Sequence, residues 1–325
     1  MSGEERDTTT AEGAPPPSRV TLGTMTFGGR TPKAEALRLV ARAMERGVVR
    51  VDTANLYESG RSESIVGEAI RGKREQVFLS TKVGAARGQG GAEGLSRERV
   101  LAACDESLAR LGVECIDLYF LHLPDPKTPI EATLEAEARL LAARQISAYA
   151  LSNFASWQAL EVVHAARSMG LPGPSRAQML YNVLVRQLDV EYFAFAARYG
   201  LPVEAYNPLA GGLLTPKHAS PEADKRGSRF FKNGLYERRY WSEAFFARRD
   251  ALSRLAGEHG VSLVHLAYGF LAARPGLAGV CIGPATLPQL DEAKDALATP
   301  LPAELLAEIE KLHLAWMGTD ARYAR

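Results

Sequence analysis

The strongest constraint in this chain is an alternation. Short stretches rich in β-branched and aromatic residues recur at 20–27, 48–54, 77–83, 116–122, 146–153, 177–183, 202–209 and 279–282. Between them run segments whose apolar residues return every three and four positions, such as KAEALRLVARAMERG, RERVLAACDESLARLG, PIEATLEAEARLLAAR and SWQALEVVHAARSMG. The first pattern fits strands and the second amphipathic helices. Ser96 and Ser156 read as helix N-caps. Eight strands alternating with helices in 325 residues predict an α/β fold, a (β/α)8 TIM barrel. A doubly wound sheet is the competitor. It would be expected to carry GxGxxG after an early strand, and no such motif occurs. GAARGQGGAEG has the wrong spacing and reads as a flexible loop.

The alternation predicts a single domain over 19–325, preceded by a polar, Pro-rich tail at 1–18 that reads as disordered. That tail lacks the apolar segment of a secretory signal and the acid-poor bias of a transit peptide, so a cytoplasmic protein is expected. A net charge of +1 gives no bulk attraction to nucleic acid or to an anionic membrane. No apolar run approaches the roughly 20 residues a membrane span needs. Cys104, Cys115 and Cys281 form no CxxC pair, so neither a disulfide framework nor a metal site is expected. The stretch 211–243 breaks the alternation. It is long, basic and aromatic, and a loop of that length inside a compact domain is usually functional.

Polar residues collect at the strand ends. Asp52 ends the second strand, Lys82 the third, His122 the fourth, and Ser152 and Asn153 the fifth. Gln178 sits on the sixth, and Tyr206 and Asn207 end the seventh. In a closed parallel barrel these positions share one mouth, where barrel enzymes keep their chemistry. Tyr57, five residues past Asp52, suits a general acid, because a phenol holds its proton at neutral pH. Lys82 can ease delivery of that proton by lowering the phenol's pKa, and Asp52 can fix Lys82. His122 can direct a carbonyl oxygen through a hydrogen bond. No Ser, Cys or second carboxylate stands out as a nucleophile, so the attacking group is expected to be a cofactor's hydride.

With these residues in view, the sequence resembles the aldo-keto reductases, over roughly 19–325. Asp52, Tyr57, Lys82 and His122 match that family's catalytic tetrad in order and strand placement. LHLPDPKTPIEATL, LSNFASW, YNPLAGGLLT, Arg229–Phe231, the Tyr236 and Arg239 pair, and an Arg at the C-terminal position are most similar to the aflatoxin-aldehyde and succinic semialdehyde reductase branch. The resemblance implies NADPH/NADP+ bound without a Rossmann motif. It assigns Ser152, Asn153 and Gln178 to the carboxamide, Tyr206 to stacking on the nicotinamide, and Asn207, Pro208, Leu209, Gly211 and Leu213 to the pyrophosphate. Arg229 is assigned to the phosphates, and Gly283, Thr286 and Gln289 to the segment holding the 2′-phosphate. His122, Tyr236, Arg239 and Arg325 are the implied substrate contacts, for a small carbonyl compound that carries a carboxylate. A homodimer is what the branch suggests.

The chain departs from the branch in Arg144-Gln145 before the fifth strand, and in Ala285-Thr286 and Ala293 where a Ser-Ser pair and an Asn are typical. Thr286 and Lys294 are the residues that can compensate. Two other readings remain: a tailoring ketoreductase of a natural-product or keto-sugar pathway, and an NADPH-binding regulatory subunit of the channel β-subunit type.

Overall fold

The computed structural model describes residues 19–85, 92–218 and 220–319. The tail at 1–18, most of the GAARGQGGAEG loop and Arg325 lie outside the described residues. Eight strands form one closed, all-parallel barrel in chain order. They are β1 (Val20–Gly23), β2 (Arg50–Asp52), β3 (Phe78–Val83), β4 (Leu118–Leu121), β5 (Tyr149–Ser152), β6 (Ala177–Leu180), β7 (Val203–Tyr206) and β8 (Leu277–Ile282). Around them pack α1 (Lys33–Glu45), α2 (Arg61–Ala69), α3 (Arg97–Leu111), α4 (Ile130–Ala142), α5 (Ser156–Ser168) and α6 (Tyr192–Tyr199). The ring continues with α7 (Gly234–Tyr240), α8 (Glu243–Glu258), α9 (Leu263–Ala273), α10 (Leu287–Ala298) and α11 (Ala303–Met317). Among the described residues no helix is long and apolar enough to cross a membrane.

All eight predicted strands are present, but most stop sooner than the apolar pattern does. After Gly23 the chain turns at once, with the Phe27 N–H on the Thr24 carbonyl at 3.0 Å. Phe27 stays fully buried although it lies outside the strand. Burial therefore outlasts the ladder, and a hydrophobic pattern alone overruns the strand end. Ser96 caps α3 by accepting from Arg99 N at 3.3 Å. Ser156 is not a cap. It is the first residue of α5, the N-cap is Ala155, and Gln158 Oε1 accepts the Ala155 N–H at 3.0 Å. The long break at 211–243 carries α7, whose cap Asn233 accepts from Tyr236 N.

Two apolar layers result. The larger lies between strands and helices, and contains Leu22, Val51, Leu79, Val83 and Leu151 from the strands. A smaller cluster of Leu118, Phe120 and Ala150, with Phe78 and Ala148, is separate from it. Register explains the separation: Lys82 pairs with Phe120 and Phe120 with Ala150, so these residues share the inward face. On that same face Gly23 pairs with Asp52, Asp52 with Ser80, Ser152 with Gln178, and Gln178 with Glu204. The inside of the barrel is thus unusually polar for a buried space, and each polar group there needs a partner.

Candidate active site

Tyr57 is carried by a short turn that the barrel grips from two sides. After β2 the Thr53 N–H bonds the Ser80 carbonyl at 2.9 Å, and the Asn55 N–H bonds the Lys82 carbonyl at 3.2 Å. Tyr57 then opens a 3-10 turn, Tyr57–Gly60, whose next residues Glu58 and Ser59 both have positive φ, at 49° and 58°. Two consecutive non-glycine residues in the left-handed region are costly and persist only where the surroundings impose them. Gly60, at φ 86°, completes the reversal and leads into α2. A loop this constrained holds the phenol in one place.

Beneath the phenol, Lys82 is fully buried and Asp52 nearly so. Lys82 Nζ donates to Asp52 Oδ2, to the Thr53 carbonyl at 2.8 Å and, at 3.5 Å, to the Tyr57 hydroxyl. Ser80 Oγ donates to the other carboxylate oxygen at 2.7 Å. Burial by itself would lower the ammonium's pKa, but Asp52 beside it, together with Tyr57 and Cys281, more than offsets that and keeps Lys82 a cation. For Tyr57 the balance differs from the sequence-based expectation. Burial raises the phenol's pKa above its ordinary value, and the downward pull of Lys82 only partly offsets it. The group therefore keeps its proton through the physiological range.

His122 follows β4, with its ring edge-on to Tyr57 at a centroid separation of 6.1 Å. Burial, helped by the Lys82 charge, lowers its pKa to about 3. Nδ1 is buried and meets no hydrogen-bond partner among the described residues. A neutral imidazole can present an N–H without adding a second cation to the site. A group with folded pKa near 3 and unfolded pKa near 6.5 stays neutral in the native state while the unfolded chain takes up a proton. Stability should therefore fall as pH drops from 6.5 towards 3, and His122→Gln should flatten that slope relative to wild type. Urea midpoints between about pH 4 and 7 measure this. Equal slopes in the two proteins would show that His122 titrates normally.

These groups open onto a cavity of about 700 Å³. On its wall, from β2 round to the segment after β8, lie Asp52, Tyr57, His122, Ser152, Asn153, Gln178, Tyr206, Asn207, Pro208, Leu209, Gly211, Arg229, Tyr236, Arg239, Gly283 and Gln289. Lys82 sits behind the wall, sealed from solvent. Two candidate residues are placed elsewhere. Leu213 is fully buried, packed into the apolar layer rather than lining the cavity. Thr286 is the exposed N-cap of α10, off the wall and with no side-chain capping bond. Lys294 is off the wall too, whereas Glu292 is on it.

The polar wall is internally bonded. Asn153, at φ 62°, donates from Nδ2 to Ser152 Oγ and to the His122 carbonyl, each at 3.0 Å. It also accepts the Tyr206 hydroxyl at 2.6 Å. Burial raises the pKa of that hydroxyl overall, outweighing the downward pull of the Arg239 charge. Asn207 Oδ1 accepts from Gly211 N at 3.0 Å, which pins the glycine turn against the end of β7. Arg229 reaches across the mouth, donating to Tyr236 at 3.3 Å and to the Gly283 carbonyl at 3.4 Å. A Cβ on Gly283 would lie 2.7 Å from the guanidinium, so a side chain there would push Arg229 aside.

Sequence reasoning missed several wall residues. Thr24, Met25 and Arg30 follow β1, and Ser262, Leu263, Val264 and Tyr268 belong to α9 and its cap. Arg30 could have been found by applying the strand-end rule to the first strand. Burial and the facing Arg229 lower its pKa to about 10. The α9 residues carry no local signal, since an apolar helix reads as core.

Fold and site together define a barrel enzyme equipped for acid–base chemistry at one mouth. Residues 19–313 match the model of the Aldo/keto reductase family. The chain is 34% identical over 297 residues to human "Aflatoxin B1 aldehyde reductase member 2", covering 86% of this chain and 82% of that protein. It is 32% identical over 301 residues to "Uncharacterized oxidoreductase YrpG" of Bacillus subtilis (89% and 90%). It is 31% identical over 280 residues to "Probable voltage-gated potassium channel subunit beta" of Oryza sativa subsp. japonica (84% and 85%). The chain belongs to the aldo/keto reductase family, and its relatives support the aflatoxin-aldehyde reductase branch. It is an oxidoreductase of carbonyl compounds that uses a nicotinamide cofactor.

Proposed function

We propose that this protein is an NADPH-dependent reductase of aldehydes and ketones, and prefers substrates bearing a carboxylate. One observation carries the reading: a proton-bearing Tyr57 within reach of a buried Lys82–Asp52 pair faces the same cavity as a neutral His122 and an amide-rich wall.

The residues present fit a dinucleotide. Asn153 and Gln178 offer amide groups suited to a carboxamide, and Tyr206 offers a flat ring fixed through its hydroxyl. Gly211 and Gly212 let backbone come close to a pyrophosphate, and Arg229 sits by Gly283, just before the N-terminus of α10. Lys217 adds a further cation to the wall besides Arg30, Arg229 and Arg239, while Glu292 adds a negative charge, and the preference for a 2′-phosphate is assigned to Arg229 and Lys217. When bound, the reduced nicotinamide supplies a hydride to the carbonyl carbon. His122 directs the carbonyl oxygen towards Tyr57, and Tyr57 gives that oxygen its proton. Lys82 steadies the resulting phenolate, and Asp52 holds Lys82 in register. The cavity wall keeps bulk water from the reacting atoms.

Arg239 extends the reading to substrate. It is the half-buried arginine of α7 beside the buried Tyr236, and a guanidinium suits a carboxylate through paired hydrogen bonds. A charge-assisted bond is worth roughly 1.5–3 kcal/mol. Arg239→Ala should therefore lower kcat/KM for succinic semialdehyde or 2-carboxybenzaldehyde about 10- to 100-fold. For 4-nitrobenzaldehyde, which has no carboxylate to lose, the loss should be much smaller. Equal losses on both substrates would reduce Arg239 to a loop support and favour a tailoring ketoreductase. NADPH oxidation by the isolated protein with these aldehydes tests the whole reading. Cofactor binding without turnover on any carbonyl would favour the regulatory role that the name of the rice relative suggests.

A further inference from the structure

Glu204 lies inside the barrel on β7, is 2% exposed, and takes no part in the proposed proton chemistry. An unpaired carboxylate there would be costly, yet both of its oxygens are engaged. Thr21 Oγ1, from β1, donates to Oε1. Gln178 Nε2, from β6, donates to Oε2 at 2.9 Å. Register sets the second contact, because Gln178 and Glu204 are direct partners in the β6–β7 pair. Glu204 Oε1 would also lie 3.3 Å from a Cβ at its β8 partner Gly279, so a side chain there would press on the carboxylate.

A carboxylate only accepts hydrogen bonds, and a glutamine amide has one donating end and one accepting end. The Glu204 contact therefore decides how the Gln178 amide is turned, although the nitrogen keeps a second N–H. The nitrogen faces Glu204, and the carbonyl oxygen is the end Gln178 has left for the cavity it lines.

We propose that Glu204 is a positioning residue that fixes the Gln178 side chain as an acceptor towards the cavity, and so selects a cofactor ring bearing a primary amide. The assignment rests on the nicotinamide-cofactor reading above. Without the carboxylate, Gln178 could turn over and offer its nitrogen instead, losing the distinction between an amide, which donates, and an acetyl group, which does not.

The test compares dissociation constants of NADP+ and its 3-acetylpyridine analogue, measured by fluorescence quenching or calorimetry without substrate. Wild type should bind NADP+ about 5- to 10-fold more tightly, the scale of one hydrogen bond. Glu204→Gln, nearly the same shape, should bring the ratio within about twofold. The exchanged pair Gln178→Glu with Glu204→Gln should restore the preference. In that pair the amide now on β7 accepts from Thr21 and donates to the carboxylate now on β6, which remains an acceptor towards the cavity. Packing alone would not make the exchange restore the ratio, and the exchanged pair carries the test if the single variant does not fold. An unchanged ratio in Glu204→Gln, or no recovery in the exchanged pair, overturns the role of Glu204 while leaving the cofactor reading intact. A wild type that binds neither dinucleotide overturns both.

Discussion

Tyr57→Phe should lower kcat at least about 100-fold while NADPH binding stays within a few-fold of wild type. The substitution keeps the ring and its edge contact with His122 and removes only the hydroxyl that Lys82 reaches. Burial holds that hydroxyl protonated, so in the native protein it is a proton source rather than a phenolate. Among the described residues, no other at that point of the wall combines a proton at neutral pH with a cation behind it. His122 is a neutral imidazole, whose remaining N–H is a far weaker acid than a phenol, and Lys82 is sealed from the cavity. Single-turnover rates with saturating cofactor measure the loss, and circular dichroism checks the fold. Near-normal turnover by a folded variant would remove Tyr57 from the chemistry.

Lys82→Met should be nearly as damaging to catalysis and, unlike Tyr57→Phe, should also destabilise the fold. Asp52 would be left buried with Ser80 as its remaining side-chain donor. Breaking a buried pair from one side typically costs about 3–5 kcal/mol, because an uncompensated charge stays inside. Replacing both partners with apolar residues, as in Asp52→Leu with Lys82→Met, should recover much of that stability, since the uncompensated charge is gone. Activity should not return, because nothing would steady the phenolate of Tyr57. Urea unfolding of the single and double variants separates the two effects. A double variant as unstable as the single would mean that lost packing, not stranded charge, sets the cost. Combining Tyr57→Phe with Lys82→Met should slow turnover little beyond either change alone, as expected of groups acting as one unit.

The barrel was legible because each strand has a local signature and parallel closure then leaves little choice. Strands that all run the same way bring their C-terminal ends to one mouth, so Asp52, His122, Ser152 and Tyr206 could be grouped before any coordinate was known. Strand ends were less legible. Residues such as Phe27 stay buried after the ladder stops, and hydrophobicity reports burial rather than hydrogen bonding. The placement of Leu213 and Thr286 away from the cavity wall was illegible for a related reason. Lying in a motif does not say which way a side chain faces, and one turned into the apolar layer while the other stayed at a helix start in solvent.

By itself, then, the sequence determined the order of elements, the closure of the barrel and the set of polar groups delivered to its mouth. These follow from local periodicity and from a rule about strand direction. Only the tertiary structure decided the state of those groups. Whether Tyr57 keeps its proton, and whether His122 is neutral, depends on how far each is removed from water by segments remote in the chain. The acceptor face of Gln178 depends on Glu204, and Glu204 depends on Thr21, 183 positions away. Desolvation and hydrogen-bond direction belong to the assembled surroundings of an atom, and no stretch of sequence contains those surroundings.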